Sequence, residues 1–87
     1  MFEYDKKKSI SNQDKHGVKL EEASNLWESE HIIIPARTTD EERFIILGEY
    51  KNKVHMCVFT FRDEKVRLIS FHRADKKFER FYYEEIK

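Results

Sequence analysis

Between residues 43 and 72 the chain presents three strand-like runs separated by connections too short to be anything but turns. Arg43 to Gly48 encloses Phe44-Ile45-Ile46-Leu47, and Val54 to Phe61 and Val66 to His72 follow it. The runs are rich in β-branched and aromatic residues, which suit a pleated, half-buried surface. Polar Lys51-Asn52-Lys53 and Arg62-Asp63-Glu64-Lys65 lie between them. This spacing predicts an antiparallel meander of hairpin-linked strands. Side chains alternate along a strand. Val66, Leu68 and Ser70 are therefore expected on one face of the last run, and Arg67, Ile69 and Phe71 on the other.

The flanking segments follow other periods. Phe2 and Tyr4 alternate with Glu3 and Asp5, as in a short first strand. Lys6 to Lys15 is polar and nearly free of breakers, and Gly17 is placed to end a helix there. Leu20, Ala23, Leu26 and Trp27 recur at helical spacing, predicting a second helix over Leu20 to Ser29. Lys19 is a poor cap for it, and the deficit of about 1 kcal/mol falls to the packing of Trp27. His31-Ile32-Ile33-Ile34 is a short strand ended by Pro35. Thr38 to Glu41 reads as a loop. Asp75 can cap a last helix whose Phe78, Tyr82 and Ile86 face a core. The expected order is β-α-α-β-β-β-β-α. The fold class that follows is α+β: two N-terminal helices packed on a small, mainly antiparallel sheet, with a C-terminal helix. With 87 residues, one domain spanning 1–87 is expected.

Charge narrows the function classes. The net charge is zero, which argues against a polycation that coats nucleic acid by charge alone. The distribution is uneven. Met1 to Glu30 holds five Lys/Arg against seven Asp/Glu, whereas Arg62 to Arg80 holds seven against four. That second stretch, with Phe71, Phe78, Phe81 and Tyr82 in or beside it, has the composition of an RNA-contacting face. A solvated surface is the alternative. Cys57 is the only cysteine, so no internal disulfide forms, and its apolar surroundings mark it as a core residue. The start has neither a basic region nor an apolar stretch, and no run is long enough to span a bilayer, so a cytoplasmic location without a membrane partner is expected. His31, His55 and His72 share no ligand spacing, so no metal and no cofactor are expected. Gly17 and Gly48 alone cannot build a phosphate-cradling loop.

An ordered series of residues runs through the chain: Tyr4-Asp5, Asn12, Lys15-His16-Gly17-Val18, Glu21-Glu22-Ala23, Glu42-Arg43-Phe44, Gly48, Thr60-Phe61-Arg62 and Arg67-Leu68-Ile69-Ser70. In this series the chain resembles the BrnT toxins, ribonucleases of bacterial type II toxin–antitoxin systems. The resemblance implies a RelE-like fold, RNA cleavage that inhibits translation and growth, and neutralisation by a neighbour-encoded BrnA-type antitoxin. DNA is implied only through that antitoxin. The pattern departs near the end of the last strand, where His72 stands at the usual arginine position with Arg73 beside it. The Glu79-Arg80 pair also falls one residue late. A non-catalytic module that only binds antitoxin is therefore the alternative function.

RNA cleavage without metal needs a base for the 2′-hydroxyl, cations for the charge growing on phosphorus, and an acid for the leaving 5′-oxygen. Arginine suits the cationic task by its fork and permanent charge, and histidine suits proton transfer. Arg62, His72 and Arg73 are the expected catalytic residues. Neighbours on a strand face opposite ways, so one of His72 and Arg73 enters the site. Arg67 would share the side of Arg73. His16, Arg43, Arg67, Lys76, Lys77, Arg80 and Tyr82 are the expected RNA contacts. Core burial is the competing role for Tyr82, and helix-end capping for His16.

Overall fold

The computed structural model describes residues 1–37 and 41–86. Most of the expected loop at Thr38 to Glu41 lies outside the described residues. Five strands form one sheet: β1 (Phe2–Glu3), β2 (His31–Ala36), β3 (Arg43–Tyr50), β4 (Lys53–Arg62) and β5 (Lys65–Arg73), in spatial order β1-β5-β4-β3-β2. Three helices accompany it: α1 (Lys6–His16), a 3₁₀ helix (Leu20–Glu28) and α2 (Lys76–Ile86).

This corrects the expected architecture of two N-terminal helices on a small, mainly antiparallel sheet. The sheet is large, with 42% of the described residues in strands, and it is mixed. The first strand is the reason. β1 adds to the edge of β5 in parallel, Phe2 opposite Val66 and Glu3 opposite Arg67. No local pattern reveals that pairing, because its partners lie more than sixty residues apart.

The meander itself forms as expected, β2 to β5 being antiparallel throughout. Both tight turns place two residues at positive φ: Lys51 (52°) and Asn52 (67°), then Asp63 (52°) and Glu64 (66°). Positive φ at both central residues matches the right-handed twist of the flanking strands. Pro35 does not end its strand. β2 is an edge strand, where a residue without an N–H is tolerated.

Alternation along β5 breaks at one residue. Val58 pairs with Ser70 but Phe59 pairs with Leu68, leaving Ile69 as a bulge. Leu68 and Phe71, expected on opposite faces, therefore both enter one core, at 2% and 0% exposure. That core joins Ile46, Cys57 and Phe59 of the sheet to Leu20, Ala23 and Leu26 of the 3₁₀ helix. These last three recur every third residue, which is the period of a 3₁₀ helix and explains why the segment winds more tightly than expected. Its start is better capped than Lys19 promised. The Glu22 carboxylate accepts from the Lys19 N–H (2.8 Å), and the Ser9 hydroxyl of α1 accepts from the Leu20 N–H (3.2 Å).

The other face of the sheet packs Ile45, Leu47, Val54 and Met56 against Tyr82, Phe78 and Ile86 of α2. Asp75 caps α2 by accepting from the Phe78 N–H (2.9 Å). Among the described residues, no helix is long and apolar enough to cross a membrane.

Candidate functional site

The structure divides the sequence-predicted residues between the two ends of β5. Residues directly opposite in an antiparallel pair point to the same face. Arg67 lies opposite Thr60, Ser70 opposite Val58 and His72 opposite Met56, so all three β5 side chains leave from the face that packs α2. The bulge thus puts Arg67 on the side of His72, not that of Arg73. Arg73 lies opposite His55 on the other face, where His55 meets the rings of Tyr50 and Phe71.

Sharing a face does not make one site. Arg62 pairs with Lys65 at the hairpin, and His72 is seven residues further on. With one of these in the bulge, their backbones are roughly 20 Å apart at the usual strand rise. Arg62 and His72 therefore do not converge on one phosphate, as the sequence reading required.

At the hairpin end each arginine is held by a carboxylate. Glu41 lies 3.2 Å from Arg43 Nε and 3.5 Å from Arg62 Nη2. Glu3 lies 3.2 Å from Arg67 Nη1. A guanidinium already matched to a carboxylate is a weaker trap for phosphate, since binding must first displace or compensate that partner.

The far end is built differently. α1 begins at Asp5, whose carboxylate accepts from the Lys7 and Lys8 N–H groups (2.8 and 3.3 Å). It ends at Gly17, whose φ of 78° only glycine adopts easily. Buried Asn12 fastens the helix to the sheet. Its amide donates to the carbonyls of Val18 and Phe71 (2.7 Å each), and its oxygen accepts from the Phe71 N–H (3.1 Å). Asn12 thus satisfies the β5 edge where β1 no longer does. One turn later on α1, His16 comes over His72, their ring centroids 4.8 Å apart and tilted by 33°.

Two features bear on the protonation of this pair. The Nδ1 of His72 is 2.8 Å from the Arg73 carbonyl. A carbonyl only accepts, so Nδ1 carries a proton and Nε2 is left for chemistry. His16 is held below the ordinary histidine range, chiefly by desolvation and further by His72 and Lys15 nearby. His55 is held down too, mainly by burial, with Arg73 and His72 contributing. No salt bridge engages Lys8, Lys15, Arg73, Lys76, Lys77 or Arg80 among the described residues.

Lys76, Lys77 and Arg80 are exposed on α2. Tyr82 is not available as a stacking ring. It is 3% exposed, and its hydroxyl donates to the Glu30 carbonyl at 3.0 Å. The structure thus brings together His16 and His72, while Arg73 leaves the strand from the opposite face. It adds two lysines that the sequence reading left out of the site, Lys8 and Lys15. Their signal was present: Lys8, Ser11, Asn12 and Lys15 follow the three- and four-residue spacing of one helix stripe. Cys57 is buried in the core and its thiol is pushed well above the usual range, which removes it as a nucleophile. Among the described residues, no group of three His, Cys, Asp or Glu is arranged to hold a metal ion.

Residues 4–77 match the family model described as ribonuclease toxin, BrnT, of type II toxin-antitoxin system. Comparison with curated proteins finds no match.

Proposed function

The chain belongs to the BrnT ribonuclease toxin family of type II toxin–antitoxin systems, and from that premise we propose that it is a metal-independent endoribonuclease whose proton carriers are His16 and His72. The observation that carries this reading is the pairing of the two rings, 4.8 Å apart, amid cations without carboxylate partners. His16 is the base. Desolvation disfavours its charged form, so at neutral pH it accepts the 2′-hydroxyl proton. The 2′-oxygen attacks phosphorus as the bond to the 5′-oxygen breaks. His72, protonated at both ring nitrogens with its Nδ1–H held on the Arg73 carbonyl, donates its Nε2 proton to the departing 5′-oxygen. The products are a 2′,3′-cyclic phosphate and a 5′-hydroxyl end. Lys15, next to His16 on α1, supplies the positive charge that the phosphorane-like transition state requires. Lys76, Lys77 and Arg80 extend the positive surface.

The biological reading follows from the family. The substrate is RNA in the cytoplasm, its cleavage halts translation, and a BrnA-type antitoxin encoded next to the toxin neutralises it. DNA is contacted only through that antitoxin. The test is cleavage of RNA by the purified chain in excess EDTA, with the new ends identified. Persistent cleavage leaving cyclic phosphates is expected. Activity abolished by chelation and restored by Mg²⁺ or Mn²⁺ would refute metal independence. A folded chain that cuts no RNA yet binds antitoxin would show a non-catalytic module instead.

A further inference from the structure

β1 pairs with β5 only at Val66 and Arg67, so the next stretch of the β5 edge has no strand beside it. α1 lies along that edge, fastened by Asn12. Between them runs a groove of about 370 Å³, walled by Lys8, Ser11, Lys15 and His16 on the helix and by Ile69 and Ser70 on the strand. Among the described residues, no carboxylate lines it. A second groove against α1 includes Glu21, and one at the hairpin end includes Glu41 and Glu42. Lys8 and Lys15 thus line, without a carboxylate among the described residues, the groove that leads to His16 and its partner His72.

The dimensions select a ligand. A volume of this size holds a single extended strand, not a duplex roughly 20 Å across, and the available partners are two ammonium groups and two hydroxyls. Lys8 and Lys15 are seven residues apart on α1, about 10.5 Å along the axis. They meet separate phosphates of one strand, not one phosphate twice. Ser11 and Ser70 offer hydroxyls to sugar or phosphate oxygens.

We propose that this groove is the track for the backbone of single-stranded RNA flanking the cut, with Lys8 and Lys15 neutralising two phosphates so that a third lies at the histidine pair. The proposal rests on the ribonuclease reading above and names the path its substrate takes. It requires that RNA binding depend on both lysines.

The test is fluorescence anisotropy of a short labelled single-stranded oligoribonucleotide, titrated with the purified chain over a range of NaCl concentrations. Each phosphate neutralised on a single strand contributes about −0.7 to the slope of log K against log salt. The Lys8→Ala/Lys15→Ala double variant should flatten that slope by about 1.4 and weaken binding about ten-fold near physiological salt. Lys6→Ala/Lys19→Ala removes the same charge from the second groove against α1 and should change the slope little. Unaltered binding in the first double variant overturns the proposal. Equal weakening in both doubles also overturns it, because bulk charge would then suffice. Cleavage is measured separately. A chain that cuts RNA without these changes refutes the groove alone, and a chain that binds as expected but cuts nothing refutes the ribonuclease reading alone.

Discussion

At the hairpin end of β5, Glu3 holds Arg67 while Glu41 lies between Arg43 and Arg62. At the other end, His72 meets His16, and neither Arg73 nor Lys15 has a carboxylate within salt-bridge distance among the described residues. The residue types are similar and their availability is not. Arginine at a strand end is common surface chemistry, and a partnered guanidinium gains little by binding phosphate. A cation cluster without carboxylates retains self-repulsion that an anionic ligand relieves. The difference teaches that partners, more than residue type, mark the end of the strand suited to a phosphodiester.

The comparison is broken most directly at the histidines. His16→Ala and His72→Ala should each lower kcat by about 10²–10⁴, the range of a lost general base or acid. Both residues are partly exposed or exposed, so melting temperatures should stay near that of the parent. Full cleavage by either folded variant would move the site away from this end.

The second prediction concerns how each end is fastened. Asn12→Ala leaves three buried backbone groups without partners, and each such group costs about 1–3 kcal/mol. We expect a loss of at least about 2 kcal/mol by denaturant titration, with RNA cleavage falling as α1 loosens from β5. Glu3→Gln removes only a partly exposed ion pair at the hairpin end and should cost less than about 1 kcal/mol. Similar losses from the two changes would mean that Asn12 does not hold the far end.

A third prediction uses pH. A base acts when neutral, and desolvation holds the His16 pKa below the ordinary value. Activity should therefore persist as pH falls past about 6.5, the usual histidine pKa, and decline only below it. Lys15→Ala removes a cation that disfavours the charged ring, so the acidic limb of kcat/KM should move upward. A limb that stays in place would separate Lys15 from His16.

The smallest effect is expected from Arg62. At roughly 20 Å from His72 along β5, Arg62→Ala should change kcat less than about three-fold, far below the 10²–10³ expected for a donor to the transition state. A hundred-fold loss would restore the hairpin end as the active site.

Much of this was legible locally. Gly17 marked the end of α1, Asp75 the start of α2, and the two polar connections became the two turns with positive φ. Such signals act within a few residues, so a sequence displays them directly. The spacing of Lys8, Ser11 and Lys15 was equally open to reading, but a charged helix stripe acquires meaning only when something faces it. Tyr82 shows the reverse, because the same helical spacing served a stacking ring and a core residue, and burial decided between them.

By itself the sequence determined the strand runs, the helix limits and the family, because periodicity, turn chemistry and ordered motifs are properties of short segments. The tertiary structure alone decided the parallel docking of β1, the bulge at Ile69, the meeting of His16 and His72 and the separation of Arg62 from them. The physical reason is register. Whether Phe59 faces Leu68 or its neighbour depends on how Leu68 and Phe71 fill a core shared with the 3₁₀ helix and the other strands. One extra residue in that register reassigns the face of every side chain after it.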